Sequence, residues 1–230
     1  MNYKKIKIAV DAMGGDFAPR AIIAGAVEAC RHLNVEVILV GREYAIKAEL
    51  KRHKTSSLPL TIHKASEVIS MSDNPLDVVR KKKDSSIRVG IDLVHSNKAD
   101  AFVSAGNSGA VVSAALFVLS RIKGIDRPAI ATVMPAVKGH VTLIDAGANN
   151  SCKPYHLAQF AIMGSVYSKY YLNCPSPRVG ILSNGEEDSK GTDITREAHH
   201  LLCKSKLNYI GYVEGKDVFK GAVDIVVCDG

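Results

Sequence analysis

The feature that most constrains the fold is the stretch from Asp100 to Ala115, which predicts a strand, a glycine turn and a helix in direct succession. Ala101 to Val103 is short and apolar, as expected of a buried strand, and the small and apolar residues from Ser108 to Leu119 predict a helix. Gly106 and Gly109 allow a tight turn and the close approach of a ligand to the backbone. A strand that passes directly into a helix in this way favours an α/β fold.

The same turn has two interpretations. The unpaired N–H groups at the start of a helix attract anions, and Ser104, Asn107 and Ser108 add side-chain donors. Alternatively, the loop is an ordinary connection in which Ser or Asn caps the helix. Ser104 occupies the position of the first glycine of the dinucleotide fingerprint G-x-G-x-x-G, so that fingerprint is absent. The turn by itself leaves both interpretations open.

Similar polar turns follow three other predicted strands. They are Asp11 to Asp16 after Ile6–Val10, Asp145 to Asn149 after Val141–Ile144, and Ser183 to Asp193 after Arg178–Leu182. Because open α/β sheets bind ligands outside the carboxyl ends of their strands, we expect the four turns to line one crevice. Their glycines, hydroxyl and amide donors, carboxylates and single lysine suit a phosphate ion and a carbonyl group. Asp16 has the alternative role of capping the helix that begins near Pro19.

Two basic features are candidates for binding anions. Lys190 lies in an acidic loop, where it either pairs with Glu186 or Glu187 or holds the charge of phosphate or of a tetrahedral intermediate. Its position after a strand and before Gly191 favours the second role. The run from Arg80 to Lys83 either ends a solvated helix or docks an acidic partner.

The composition narrows the class of protein. The net charge of +7 suits anionic ligands, acidic partners or a membrane surface, while the absence of Trp and the 6% aromatic content disfavour a base-stacking nucleic-acid platform. The five scattered cysteines favour reduced thiols in a cytoplasmic protein, and we expect Cys152 to be a small buried residue. There is no membrane-spanning run and no signal peptide. We expect His199 and His200 to be solvated.

The strand order predicts a mostly parallel sheet with one interruption. Ile130–Met134 and Val141–Ile144 flank Lys138-Gly139 and predict a hairpin, so we expect some antiparallel strand. Because the chain ends at Gly230 directly after the predicted strand Val223–Val227, we expect it to be truncated. Local patterns also predict a helix cap at Asp84–Ser86, a helix over Pro154–Tyr171 and a strand over Tyr209–Val213. The sequence has no P-loop, no nucleophile elbow and no paired metal-binding aspartates, so we expect neither a cofactor nor a metal.

Several segments together resemble the acyl-[acyl-carrier-protein]:phosphate acyltransferase family. They are Val10–Pro19, Lys82–Ser86, Ser104–Ala110, Asp145–Asn149, Gly185–Glu187 and Lys190–Gly191. The resemblance follows the whole chain in order. It implies a three-layer α/β/α sandwich related to isocitrate dehydrogenase and phosphotransacetylase, as a single domain over residues 1–230 without the C-terminal part of the family fold.

The resemblance also implies a function and a set of partners. The enzyme would transfer a long fatty acyl group from acyl carrier protein to inorganic phosphate, without a cofactor, giving acyl phosphate for phospholipid synthesis. Family members are cytoplasmic homodimers that visit the inner membrane surface, where a membrane glycerol-phosphate acyltransferase acts downstream. Binding of nucleic acid is not implied.

The family pattern assigns roles to particular residues. Lys190 is the catalytic candidate, and Arg80, Lys81, Lys82 and Lys83 are the candidates for docking the carrier protein. The candidates for binding substrate or phosphate are Asp11, Gly14, Gly15, Asp16, Ser104, Gly106, Asn107, Ser108, Gly109, Asp145, Asn149, Asn184, Glu186 and Glu187. The chain departs from the family at Ser183-Asn184-Gly185, where an Asn, an aliphatic residue and Gly are more usual.

Other functions remain open at this level. The closest alternative is a phosphotransacetylase that uses an acyl-CoA. A nicotinamide-dependent decarboxylating dehydrogenase would share the fold class, and a non-catalytic phosphate-binding protein would share the anion-binding turns.

Overall fold

The computed structural model describes residues 5–75, 80–185 and 190–230. The chain divides into two compact units, of which the first ends at Ser120 and the second begins at Arg121. Each unit contains its own β-sheet, with four strands in the first and five in the second. The organisation of residues 1–230 as a single domain stays a prediction.

The first unit alternates strands and helices along the chain. Its elements are β1 (Ile6–Asp11), α1 (Arg20–His32), β2 (Val35–Gly41), α2 (Glu43–Leu50), β3 (Leu60–Lys64), α3 (Ser86–His95), β4 (Ala101–Val103) and α4 (Ser108–Val118). The four strands are parallel and lie in the order β3-β2-β1-β4. This order brings the carboxyl ends of β1 and β4 side by side.

Alternation of apolar side chains along β2 explains why helices cover both faces of this sheet. Leu39 packs with Ile23 and Val27 of α1 on one face. The next residue, Val40, points to the other face and packs with Leu93 of α3. Successive side chains of a strand point to opposite sides, so a strand that is apolar throughout needs a cover on each side. The first unit is therefore an α/β/α sandwich.

The second unit has a mixed sheet. Its elements are β5 (Ala131–Pro135), β6 (His140–Ile144), α5 (Pro154–Tyr171), β7 (Val179–Leu182), α6 (Asp193–Cys203), β8 (Tyr209–Val213) and β9 (Ile225–Val227). The strand order is β5-β6-β9-β7-β8, and β5 runs antiparallel to β6 whereas the other pairs are parallel. The predicted hairpin and the antiparallel strand in a mostly parallel arrangement are thus confirmed.

A core cluster on one face of this sheet carries α5 and α6. Phe160 of α5 and Leu202 of α6 are fully buried against Ile181 and Ile225. On the opposite face, Val226 packs with Val218 of the turn that precedes β9. No helix among the described residues is both long and apolar enough to cross a membrane.

Three local predictions were wrong. Asp16 does not cap α1, because the helix begins at Arg20 with Pro19 in the N-cap position and no side-chain cap, and Asp16 is exposed. The last strand is shorter than the predicted Val223–Val227, since β9 begins at Ile225. Strand β4 is not fully buried, since Val103 retains 53% of its accessible surface.

Candidate functional site

Asp11 joins the two turns at the carboxyl ends of β1 and β4. Its side chain retains 1% of its accessible surface. One carboxylate oxygen accepts a hydrogen bond from the Ser104 hydroxyl at 2.7 Å, and the other accepts one from the Met13 N–H at 3.1 Å. The Ser104 oxygen in turn accepts a hydrogen bond from the N–H of Gly106 at 3.0 Å. This chain of bonds fixes both turns in one arrangement.

Glycines allow the two turns to pack backbone against backbone. A Cβ atom on Gly14 would lie 2.9 Å from the Gly106 nitrogen and would also collide with the carboxylate of Asp11. Gly15 has φ of +95°, and a side chain there would meet the carbonyl oxygen of Ala105 at 3.0 Å. Both positions therefore require glycine. The two turns therefore meet backbone against backbone at these positions, with no side chain between them.

Asn107 begins α4 and ties its start to a distant segment. Its Oδ1 accepts a hydrogen bond from the N–H of Ala110, which is the capping role considered from the sequence. Its Nδ2 lies within hydrogen-bond distance of the carbonyl oxygens of Ser70, Met71 and Asp73, at 3.2 to 3.3 Å. The Asn107 side chain therefore uses its oxygen and its nitrogen to stabilise the conformation of the turn. Whether Asn107 also binds a ligand stays a prediction.

The first N–H groups of α4 are backbone donors that this arrangement leaves open. Asn107 satisfies Ala110, and the structure shows no acceptor among the described residues for the N–H groups of Ser108 and Gly109. The Ser108 side chain is exposed. Gly109 packs on Pro75, whose Cγ would lie 2.8 Å from an added Cβ. The start of α4 therefore has two N–H groups without an acceptor among the described residues. The contacts of Asn107 with Asp73 and of Gly109 with Pro75 hold its backbone in place.

The four basic residues of the run from Arg80 to Lys83 differ in their environment. Arg80, Lys81 and Lys83 are exposed. Lys82 instead donates hydrogen bonds to the Asp73 carboxylate at 2.7 Å and to the Val68 carbonyl at 2.8 Å. The bond from Lys82 lowers the pKa of Asp73. Lys82 therefore orders the segment that Asn107 also holds, a role that no local pattern indicated.

In the second unit, Asp145 organises the turn after β6. It retains 1% of its accessible surface and follows the last residue of the strand. Oδ1 accepts from the N–H groups of Ile130 and Ala148 at 2.8 and 3.2 Å. Oδ2 accepts from the backbone and side-chain nitrogens of Asn149 at 2.7 and 2.8 Å. All four hydrogen bonds stabilise the conformation of the loop.

The end of β9 lies against the same turn. The Gly230 N–H donates to the carbonyl of Asn149 at 2.7 Å. The Cys228 thiol lies 3.2 Å from the carbonyl oxygen of Asp145, and burial raises its pKa to about 11. Burial also raises the pKa of the Cys152 thiol, which is buried as expected. Burial therefore opposes ionisation of both thiols.

Lys190 lies in the turn after β7 and is exposed. The next residue, Gly191, has φ of +81°, and its N–H donates to Oδ1 of Asn184 at 3.0 Å. Thr192 then caps α6 by accepting from the N–H of Thr195 at 3.2 Å. The backbone that follows the lysine is thereby held in place. Glu186 and Glu187, the predicted partners or ligands of this loop, lie outside the described residues.

Two features of the second unit were not foreseen. The Ser183 hydroxyl oxygen is buried and has no hydrogen-bond partner among the described residues. His199 is not solvated as expected, since its Nδ1 lies 2.8 Å from the Tyr209 hydroxyl and its ring stacks on Tyr212. A helical spacing alone does not reveal that a neighbouring strand covers this histidine.

The structure brings several predicted residues together within each unit. In the first unit, Asp11, Gly14, Gly15, Ser104 and Gly106 form one contiguous turn pair. In the second unit, Asp145 and Asn149 form another cluster. A shared crevice for all four turns stays a prediction, as does the binding role of each residue.

Comparison with known protein sequences finds close relatives. A family model described as fatty acid synthesis protein matches residues 6–230. A protein named phosphate acyltransferase from Syntrophotalea carbinolica is 55% identical over 227 residues, which are 99% of this chain and 65% of that protein. One of the same name from Geobacter sulfurreducens is 53% identical over 225 residues, 98% of this chain and 65% of that protein. The chain thus spans about 65% of the length of these relatives.

Comparison with solved structures supports the fold. A phosphotransacetylase from Streptococcus pyogenes superposes with a TM-score of 0.72 at 19% identity, over 97% of this chain and 77% of that chain. The EutD phosphotransacetylase from Staphylococcus aureus gives a TM-score of 0.62 at 20% identity, with the same coverage of the two chains. At these identities the likeness shows the fold alone. The predicted α/β class with a phosphotransacetylase-like fold is confirmed.

Proposed function

Since this chain belongs to the fatty acid synthesis protein family, we propose that it transfers an acyl group to inorganic phosphate. The observation that carries the proposal is the pair of glycine turns at the carboxyl ends of β1 and β4. There, bare backbone and the first N–H groups of α4 are available to an anion. The names of the relatives, phosphate acyltransferase, agree with this chemistry.

The reaction needs positioning more than it needs a covalent intermediate. A phosphate oxygen would attack the carbonyl carbon of an acyl thioester, forming an acyl–oxygen bond and a tetrahedral oxyanion. Collapse of the oxyanion would break the carbon–sulfur bond and release a thiolate. Phosphate is already a nucleophile and a thioester is already activated, so an enzyme gains most by orienting them and stabilising the oxyanion.

The candidate residues would have separate roles in this chemistry. In the first unit, the N–H groups of Ser108 and Gly109 would hold phosphate, and Asp11 would keep the turn pair in shape. In the second unit, Lys190 would neutralise charge on phosphate or on the oxyanion, and Asp145 with Asn149 would order the neighbouring loop. Gly14, Gly15 and Gly106 would contribute by letting the two turns pack backbone against backbone.

We further propose the donor and the setting implied by the family resemblance. The donor would be a long-chain acyl group on acyl carrier protein, and the acyl phosphate would enter phospholipid synthesis. The protein would act as a cytoplasmic homodimer at the inner membrane surface, ahead of a membrane glycerol-phosphate acyltransferase. The net charge of +7 agrees with an acidic carrier and an anionic surface.

The donor can be tested directly with the protein as its gene encodes it. We expect acyl-phosphate formation from phosphate and a long-chain acyl carrier protein, with kcat/KM at least roughly tenfold above that for the matching acyl-CoA. A preference for acyl-CoA would instead identify a phosphotransacetylase. Phosphate binding without turnover would identify a non-catalytic protein, and reduction of a nicotinamide cofactor with a hydroxy acid would identify a dehydrogenase.

Charge reversal of the basic run should weaken use of the carrier protein. We expect replacement of Arg80, Lys81 and Lys83 by Glu to raise the KM for acyl carrier protein roughly tenfold with little change in kcat, because rim charges govern encounter. Lys82 is left unchanged because it holds Asp73. The measurement is initial rate against carrier concentration at two salt concentrations.

A charge-matched control is available on the exposed end of α2. Replacing Lys51, Arg52 and Lys54 by Glu changes the net charge by the same amount, and these three residues are also exposed. The docking assignment requires the control to keep a KM close to that of the unaltered protein. An unchanged KM in the Arg80, Lys81 and Lys83 variant would contradict docking at this run.

A further inference from the structure

A cationic cavity lies beside the candidate site, at the carboxyl ends of β2 and β3. It has a volume of about 310 Å³ and is lined by Arg42, Glu43, Tyr44, Lys64, Ala65 and Ser66. In a parallel sheet with helices on both faces, ligands bind along this edge. The cavity lies at the same edge of the sheet as the turns after β1 and β4, and none of the roles assigned above uses it.

The side chains around the cavity leave positive charge exposed. Arg42 donates from Nε to the Ser66 carbonyl at 3.2 Å, which orients the guanidinium and leaves its outer nitrogens for another acceptor. Lys64 is exposed and has no hydrogen-bond partner or ion pair within the described part of the chain. Tyr44 retains 71% of its accessible surface and adds an aromatic ring and a hydroxyl.

The acidic groups near the cavity are already engaged. Glu43 pairs with Lys47 at 2.6 Å, and mainly for that reason its pKa is lowered. Asp84 accepts a hydrogen bond from the Ser66 N–H at 2.8 Å, and its pKa is lowered chiefly by its bonds with Ser66. Lys64 contributes to both pKa shifts from farther away. Neither carboxylate therefore forms an ion pair with Arg42 within the described part of the chain.

The cavity is connected to both parts of the first unit that the proposed function uses. Met13, in the turn after β1, packs against Gly41 at the end of β2, where an added Cβ would lie 2.7 Å from its Cγ. Neighbouring strands are about 4.8 Å apart, so the end of β3 is about 10 Å from that of β1. On the other side, the bond between Ser66 and Asp84 places the cavity next to the end of the basic run.

We propose that Arg42, Lys64 and Tyr44 bind a phosphoester group of the acyl donor. Guanidinium and ammonium groups bind phosphate through charge-assisted hydrogen bonds, and a tyrosine ring packs on the organic chain beside it. Acyl thioesters on a carrier protein and on coenzyme A both end a pantetheine arm that carries phosphate. The inference rests on the proposed function, because it assigns the position of the donor for that reaction.

Binding measurements can separate this site from general charge attraction. Calorimetry would compare the carrier protein with its phosphopantetheine arm, the same carrier without the arm, coenzyme A, and pantetheine without phosphate. We expect Arg42→Gln with Lys64→Gln to weaken binding of the armed carrier roughly 10- to 100-fold, as for loss of hydrogen bonds to a charged group. Binding of the carrier without the arm, and of pantetheine, should change less than about twofold.

Two control variants distinguish a specific loss of binding from a loss of folding or of enzyme activity. Lys64→Gln alone removes no hydrogen bond or ion pair of the described residues and should give part of the loss with little change in the melting temperature. Lys51→Gln with Arg52→Gln, on the same helix end as the earlier control, should bind like the unaltered protein. If the double variant loses affinity only for coenzyme A, the cavity still binds a phosphoester group, and coenzyme A rather than the carrier protein supplies that group.

Two results would overturn the inference. Equal weakening of the carrier with and without its arm would show ordinary surface attraction, and unchanged binding of all phosphate-bearing ligands would show that the cavity takes no part. Failure of the proposed function is a separate result. In that case the phosphate-bearing ligands would still bind through Arg42 and Lys64, but no acyl phosphate would form.

Discussion

Replacing Lys190 by alanine should slow acyl-phosphate formation by about 10²- to 10³-fold, the usual effect of removing one group that stabilises an oxyanion. The side chain is exposed, so its removal leaves no cavity in the core. The loss should appear mainly in kcat if Lys190 acts on the oxyanion, and mainly in the KM for phosphate if it holds the nucleophile. Initial rates at varied phosphate concentration distinguish the two roles.

The local structure makes this substitution a clean test. Gly191 is held by Asn184, and Thr192 caps α6 through Thr195, so the backbone beside Lys190 keeps its shape without the lysine side chain. Lys204→Ala is a suitable control because that lysine is exposed in the same unit. It should retain full activity. A Lys190→Ala protein with a near-normal rate and an intact fold would remove Lys190 from the mechanism.

The largest effect on stability should come from Asp145→Ala. The carboxylate accepts four hydrogen bonds at a buried position, from Ile130, Ala148 and the two nitrogens of Asn149. Alanine would leave the three backbone donors without their acceptor, while Nδ2 of Asn149 keeps its bond to the Pro128 carbonyl, and each unsatisfied buried donor costs about 1–3 kcal/mol. We expect the free energy of unfolding to fall by about 4 kcal/mol after partial rescue by water, as measured by urea denaturation.

Graded variants distinguish this explanation from a general sensitivity of the loop. Asp145→Asn keeps one carbonyl oxygen and the shape of the side chain, so it should lose about half as much free energy of unfolding. Asp126→Ala, at an exposed position of the same unit, should change it by less than about 0.5 kcal/mol. A loss below about 1 kcal/mol in Asp145→Ala would show that the loop does not depend on this carboxylate.

The order of helices and strands could be predicted well from local patterns. The bounds of β4, α5 and β8 agree with those expected from the sequence, and Ser85 caps α3 as anticipated, accepting from the Arg88 N–H at 3.4 Å. These features depend on residues a few positions apart, through hydrophobic period and capping. The error at Asp16 arises because whether a polar side chain caps a helix depends on partners that local spacing does not show.

Only part of the candidate site could be predicted from local sequence patterns. The polar turns at the strand ends were found because glycine, serine and aspartate are informative wherever they follow an apolar strand. The role of each side chain could not be predicted from these patterns. Asn107 contacts carbonyl groups 34 to 37 residues away, and Lys82 contacts Val68 across 14 residues. Such partners are set by packing of the whole unit.

The amino-acid order was sufficient to specify an α/β chain with polar, glycine-containing turns at its strand ends, because hydrophobic period, glycine and capping residues act over short distances. Folding in three dimensions decided which polar groups hold the structure and which stay open to a ligand. Lys82, Asn107 and Asp145 are consumed by internal bonds, whereas Arg42 and Lys64, unremarkable in the sequence, meet at one cavity. The physical reason is that hydrogen bonding and burial depend on neighbours in space, which chain position alone does not give.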